Sequence, residues 1–349
     1  MKLDELLIEE DKSVLEAMRR LDITGHRILF VAPEGRLEAV VTDSDIRRYI
    51  LRGGSLCGPV SSMANYSPKS ITAEQRGSAK KLLLQYSIDA LPVLSRQGTI
   101  IDVIFEGDLD IDTHKKANLP VVIMAGGLGT RLYPYTKILP KPLIPVGELP
   151  IVEHIINRFK NFGCYDFTMV VNYKKSMIKS YFNDIEKDYL VRYADEDKPL
   201  GTGGGLSLLK GQITSTFFLT NCDVLIDADF GDLYDFHQKN GNLITMVCAF
   251  KHLTIPYGVI ELGSEGEIKD VTEKPEMNFL TNTGVYVVEP RVIDELREGE
   301  AVGFPDIMER YRHAGEKVGV YPVSESSWMD MGQLEELENM RRKMEEQNI

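Results

Sequence analysis

The run Val121-Val122-Ile123-Met124-Ala125-Gly126-Gly127-Leu128-Gly129-Thr130-Arg131-Leu132, followed nine residues on by Lys141 inside Pro140-Lys141-Pro142, decides the reading of most of this chain. Its apolar start has the character of a parallel strand buried on both faces. The glycines that follow leave backbone N–H groups bare, so they can approach a phosphate closely, and Arg131 stands at the far end of the loop. A strand, an anion cradle and two fixed cations, Arg131 and Lys141, make a nucleoside triphosphate site. The spacing excludes two better-known versions. A P-loop carries Gly-Lys-Ser/Thr after four intervening residues, and a dinucleotide fold needs a third glycine where Leu132 stands.

Outward from this loop, from Leu119 onward, the pattern alternates strand and helix. Strands are expected at 121–124, 167–171, 190–193, 217–221, 243–250, 259–262, 284–288 and 318–322. Helices are expected near 150–162, 174–186, 203–210, 230–239, 305–314 and 333–346. Such alternation builds a mostly parallel sheet covered on both faces, with ligands at the carboxyl ends of the strands. Pro199-Leu200-Gly201-Thr202-Gly203-Gly204 is a second glycine-rich loop, and equally the tight entry to a helix. Asp223, in Asn221-Cys222-Asp223, closes the strand before it as either a helix cap or a metal ligand. No hexapeptide repeats follow, which excludes an appended β-helix.

The first part repeats itself at an offset of 63 residues: Ile28–Val31, Gly35, Leu37–Val41 and Asp45 correspond to Leu91–Leu94, Gly98, Ile100–Ile104 and Asp108. Each unit reads as helix (Val14–Leu21; Ser78–Tyr86), strand, glycine turn, strand, then a helix capped by aspartate. Units this small bury their sheets poorly alone, so the two should pack as a pseudo-twofold pair. The polar stretch 111–118 reads as a linker.

Composition sets further bounds. A length of 349 residues, 43% hydrophobic and 27% charged, suits two soluble domains. No apolar run is long enough to span a membrane, and the acidic N-terminus lacks a signal peptide's basic start. The four scattered cysteines argue against disulfides and zinc and for a cytoplasmic setting. The histidines form no ligand-spaced pair, so a metal would be a hard cation held by carboxylates. Of the net charge of −13, −2 falls on residues 1–116 and −11 on the rest. So acidic a domain excludes nucleic acid as a partner.

Residues 121–330 resemble the sugar-1-phosphate nucleotidyltransferases, or NDP-sugar pyrophosphorylases. The resemblance rests on the first loop with Pro134, Thr136 and Pro140-Lys141-Pro142, then on Pro199–Gly204, Asn221-Cys222-Asp223, Tyr257-Gly258-Val259, Glu273-Lys274-Pro275, Asn282-Thr283-Gly284 and Trp328-Met329-Asp330-Met331-Gly332. It implies a Rossmann-like, GT-A-like α/β domain at 119–349. It also implies nucleotide contacts from Ala125, Gly126, Gly127, Gly129, Thr130 and Arg131, with Pro199, Gly201, Thr202 and Gly203 around the base. Gly258, Glu273, Lys274, Asn282 and Thr283 would take the sugar phosphate, and Asp223 and Asp330 would hold Mg²⁺. Arg131, Lys141 and Lys274 would carry catalysis.

Residues 1–113 resemble a tandem CBS pair, an α+β Bateman module, with repeats at about 1–60 and 61–113 and a linker at 114–118. That resemblance implies a regulatory nucleotide on Thr42 and Asp45, where helix capping is the competing role, and a homo-oligomer. The combination resembles the guanylyltransferases of bacterial nonulosonic (legionaminic) acid synthesis, which implies GTP as donor and glucosamine-1-phosphate as acceptor. Mannose- or heptose-1-phosphate as acceptor, and a catalytically silent NDP-sugar sensor, stay open.

Overall fold

A computed structural model describes residues 3–109 and 114–347. The end of the second repeat and the start of the polar stretch, residues 110–113, lie outside the described residues. The chain forms two compact units. One gathers the chain up to Asn118 with Asn157–Tyr165 and Ala228–Phe236; the other holds Leu119–Ile156, Asp166–Asp227 and the chain from His237 onward.

The larger unit is organised by a seven-stranded sheet. Its order is Leu190–Asp195, Asp166–Val171, Val121–Ala125, Phe217–Asn221, Glu276–Val288, Ile244–Thr254 and Val318–Val323. All neighbours are parallel except Glu276–Val288, which runs against both of its partners. Every residue of Val121–Ala125 is buried, as its unbroken apolar run requires. Val122, Met124, Phe217 and Leu219 pack with Leu206, Tyr286, Phe304 and Ile307 into one core. Because Val121–Ala125 lies centrally, the loop after it opens at the carboxyl ends of its parallel neighbours, where such sheets bind ligands.

The smaller unit contains both repeats. Ile28–Val31 pairs antiparallel with Ala39–Thr42, and Ala90–Leu94 antiparallel with Ile100–Phe105. Phe30, Ile28 and Val40 of the first repeat share a core with Ala90 and Ile100 of the second, so each covers what the other leaves bare. The helix Val14–Thr24 starts where Ser13 accepts from the Glu16 N–H and stops at Gly25, whose left-handed φ of 67° suits glycine. The expected aspartate-capped helix of the second repeat is a 3₁₀ turn, Glu106–Leu109, with Asp108 accepting from the Phe105 N–H at 2.9 Å. Helix ends from further along the chain complete this unit: Phe230 packs against Phe159 and Phe162.

Several elements differ from expectation. The strand expected at 284–288 is the end of the longer Glu276–Val288. The helix expected at 203–210 is a single α-turn, Gly201–Gly204, running into a 3₁₀ turn, Gly205–Leu209. The 259–262 strand forms a hairpin with Ile268–Thr272, all of it exposed. Two short strands, Val224–Ile226 and Trp328–Asp330, pair antiparallel and were not foreseen. Strands this short carry too little periodicity to read from sequence. No helix of the described residues is long and apolar enough to cross a membrane.

Candidate active site

The first glycine loop leaves the sheet at Ala125 and turns back at Gly129, whose φ of 65° favours glycine. Thr136, fully buried, closes the loop by donating its hydroxyl to the Gly129 carbonyl at 2.8 Å. A side chain on Gly129 would meet Thr136 at 2.8 Å, and one on Gly126 would meet the Glu196 carboxylate at 2.5 Å. These glycines therefore serve close packing as well as access. The loop opens on a cavity of about 290 Å³ lined by Gly126, Gly127, Arg131, Lys141, Glu196, Pro199, Gly201, Thr202, Asn221 and Asp223, among others. Ala125, Gly129, Thr130 and Gly203 are not among the residues lining it.

Two carboxylates meet at the mouth of the sheet. The short pair of strands sets Val224 opposite Asp330, and the Met331 N–H donates to the Asp223 carbonyl at 2.9 Å, which places Asp223 and Asp330 side by side. Burial, and then the charge of Asp223, push the Asp330 carboxyl above the usual carboxylate range, while Lys141 and Arg131 pull the other way. The Lys141 ammonium is buried and ion-paired with Asp223. Two adjacent carboxylates set against one ammonium form a donor set that fits a hard divalent cation. Cys222 beside them is no nucleophile, since burial pushes its thiol up to about 12.

The second glycine loop is built for contact with its neighbour. The N–H groups of Gly203 and Gly204 both donate to the Val302 carbonyl at 3.0 Å, and Val302 N–H donates to the Leu200 carbonyl at 2.9 Å. A Cβ on Gly204 would meet the Glu300 carbonyl at 2.0 Å. The Thr202 hydroxyl accepts from the Phe304 N–H at 3.1 Å. The loop thus presents Pro199, Gly201 and Thr202 to the cavity while its inner side locks onto residues 300–304.

Glu196, which belongs to none of the motifs, is buried against this cavity with its Oε1 unmatched by any hydrogen bond among the described residues. Burial pushes its carboxyl above the usual range, partly offset by a backbone bond at Leu200. Asn172 holds the segment by donating Nδ2 to the Glu196 carbonyl at 3.0 Å.

The remaining expected residues lie elsewhere. Gly258, Glu273 and Lys274 sit on the exposed ribbon and are not among the residues lining the cavity. Gly258 and Glu273 are neighbours, since a Cβ on Gly258 would lie 2.9 Å from the Glu273 carboxylate. Asn282 donates to the Tyr286 hydroxyl at 2.8 Å and accepts from the Gly284 N–H at 2.9 Å. Thr283 is buried and donates to the Val247 carbonyl at 2.8 Å, opposite a register shift between Met246 and Cys248. Both side chains shape the strand.

In the smaller unit Thr42 and Asp45 form a reciprocal helix cap: Asp45 Oδ2 accepts from the Thr42 N–H at 2.9 Å and from its hydroxyl at 2.6 Å, and Thr42 Oγ1 accepts from the Asp45 N–H at 3.2 Å. Both also line a cavity of about 320 Å³ with Arg27, Arg48, Lys69 and Asp229.

Residues 120–347 match the family model described as Nucleotidyl transferase, and residues 1–52 match that of the CBS domain. The mannose-1-phosphate guanyltransferase of Saccharomyces cerevisiae is 34% identical over 226 residues, covering 61% of this chain and 61% of its own. That of Pichia angusta is 36% identical over 227 residues, covering 61% and 60%. The chain therefore spans about three-fifths of the length of these relatives. Among solved structures, HddC from Yersinia pseudotuberculosis superposes with a TM-score of 0.52 at 21% identity, covering 65% of this chain and 99% of that one. The same protein complexed with GMP-PN gives 0.51 at 20% identity, with the same coverage. At such identity the likeness is one of fold.

Proposed function

The chain belongs to the nucleotidyl transferase family, and from that premise we propose that it transfers GMP from GTP to a hexose-1-phosphate, releasing pyrophosphate. The observation that carries this reading is the convergence of Arg131, Lys141 and Asp223 on one loop-lined cavity, with Asp330 held beside Asp223 and within the electrostatic reach of both cations. The acceptor phosphate is already anionic at neutral pH, so its oxygen needs no general base to attack the α-phosphorus. What the protein supplies is position and charge compensation. Arg131 would meet charge building on the departing pyrophosphate. Lys141, released from Asp223 as phosphates compete for its ammonium, would neutralise the nucleotide. Lys274, on the exposed ribbon, would take the acceptor phosphate beside Glu273 on the sugar hydroxyls. Asp223 and Asp330 would hold Mg²⁺, which when bound supplies positive charge where the nucleotide and acceptor phosphates meet.

Glu196 supports guanine. A buried carboxylate with an unmatched oxygen favours a partner that donates to it, and guanine's N1–H and N2–H₂ place donors side by side on one edge. The names of the curated relatives support guanylyl transfer to a hexose-1-phosphate. Glucosamine-1-phosphate as acceptor, for nonulosonic or surface-glycan synthesis, rests on the pairing of a CBS domain with this transferase. In the smaller unit, the cavity bearing Thr42 and Asp45 would take a regulatory nucleotide, its phosphates meeting Arg48 and Lys69.

Pyrophosphate release over a grid of nucleoside triphosphates and sugar-1-phosphates tests the reading. Turnover is expected with GTP and a hexose-1-phosphate and only with divalent cation present. Preference for a pyrimidine nucleotide would overturn the base assignment, and silence across the grid would overturn the activity.

A further inference from the structure

Away from the transferase cavity, Asp89, Glu106 and His114 converge within the smaller unit, their ligand atoms all within 4.8 Å of one another. The chain brings them from three places. Asp89 precedes the strand Ala90–Leu94 and Glu106 follows Ile100–Phe105. Pairing of Ala90 with Phe105 puts both acids at one end of the sheet, where the Glu106 N–H donates to the Asp89 carbonyl at 2.9 Å. His114 arrives from beyond the second repeat, its ring against Phe162 with centroids 5.0 Å apart. Its Nε2 faces Glu106 at 3.6 Å and its Nδ1 faces Asp229 at 3.6 Å.

Three carboxylates therefore surround one imidazole. Among the described residues the partly buried Asp89 carboxylate has no hydrogen bond or ion pair of its own, although it points into this cluster. We propose that Asp89, Glu106 and the His114 Nε2 bind a divalent first-row transition ion of the zinc type, with Asp229 accepting from Nδ1 to hold the ring. Imidazole beside carboxylates selects such an ion, whereas the purely carboxylate pair Asp223–Asp330 suits Mg²⁺. Ligand atoms about 2.0–2.2 Å from a shared tetrahedral ion lie roughly 3.3–3.6 Å apart, so side-chain rotations would draw the three groups together from the observed spacing of up to 4.8 Å. A carboxylate behind the imidazole is the usual device for fixing a metal-bound ring. The ion would also offset the excess of negative charge that the fold gathers here, and would tie the second repeat to the start of the helix Phe230–Asn240.

The test uses the full-length chain carrying Asp223→Asn and Asp330→Asn, so that the transferase pair cannot answer for the new site. After removal of metal with a chelator, Zn²⁺ is titrated calorimetrically and Co²⁺ by visible absorption. One equivalent of Zn²⁺ is expected, raising the melting temperature. His114→Gln and Asp89→Asn should each weaken binding at least about tenfold, and His114→Gln should abolish the Co²⁺ band of the nitrogen-ligated ion. Circular dichroism checks that each variant is folded; if one is not, the other decides. No stoichiometric binding by the parent chain, or binding unchanged in a folded variant, overturns the site.

Discussion

At the scale of single residues, the site sets charges against one another, and substitutions should separate their roles. Arg131→Ala should lower turnover by roughly 10²–10³, about 3–4 kcal/mol of transition-state stabilisation, with the fold intact. A rate within threefold of the parent would remove Arg131 from that role. Asp330 makes the opposite trade. Its carboxyl is raised in the folded chain by burial and by Asp223, so the folded state holds its proton more tightly than the unfolded one. Stability should then fall as pH rises from the ordinary carboxylate range through the raised value. Asp330→Asn, neutral and similar in shape, should flatten that slope and melt higher at neutral pH while raising the Mg²⁺ requirement. Melting curves across pH, paired with Mg²⁺ titrations of the rate, check both halves; an unchanged Mg²⁺ titration would make Asp330 purely structural. Glu196→Gln should likewise stabilise the fold at neutral pH and erode preference for GTP over the other triphosphates, read from the ratio of kcat/KM values. Arg131, Lys141, Asp223 and Asp330 were legible because each belongs to a spaced motif. Glu196 was not, since it lies in the acidic stretch Asp195-Glu196-Asp197 and only its burial distinguishes it from a solvated face.

At the scale of elements, the glycines of the second loop answer a packing question. Gly204 sits where a Cβ would strike the Glu300 carbonyl, and Gly201, at φ 77°, where it would lie 2.6 Å from the Val302 carbonyl. Backbone cannot yield as a flexible side chain does, so Gly204→Ala should cost about 1–3 kcal/mol in thermal or denaturant unfolding. A neutral result would show that residues 300–302 are free to move. The sequence marked this loop but not its partner, because the contact joins segments a hundred residues apart in the chain. The hairpin Val259–Leu262 with Ile268–Thr272 shows the opposite limit. Alternation sets Ile260 against Val271 and Leu262 against Ile268, yet all four are more than half exposed. A period-2 pattern identifies a strand and its apolar face, but it does not say that anything covers that face. The antiparallel run of Glu276–Val288 was illegible for a related reason: direction is set by pairing partners, which local pattern does not encode.

At the scale of the molecule, the two-part organisation was readable from the 63-residue repeat and the change of pattern at Leu119, whereas the reach of the first part was not. The compact unit built on the repeats also takes in Asn157–Tyr165 and Ala228–Phe236. Arg47, 7% exposed, pairs with both Asp43 and Asp232, and Lys115 with Asp235. Residues 1–113 alone would lack these partners, so regulation is best measured on the whole chain. The cavity holding Thr42, Asp45, Arg48 and Lys69 is also walled by Asp229, six residues after Asp223 in sequence. A nucleotide bound there would touch a segment continuous with the transferase carboxylate. Its effect on turnover can be no larger than its differential affinity for two states of the protein, so a change of about 1–3 kcal/mol, or roughly 5–150-fold, is expected. Linkage requires reciprocity: GTP binding at the transferase site must alter the affinity of the regulatory ligand by the same factor. Calorimetric titration of the full chain with adenine, guanine and cytidine nucleotides, with and without a saturating inert GTP analogue, measures both. Arg48→Ala removes a cation from the cavity wall without touching the transferase site, and should abolish the regulatory heat while leaving basal turnover unchanged. Heat that persists in that variant, or affinities indifferent to the GTP analogue, would leave Thr42 and Asp45 as the helix cap they form and nothing more.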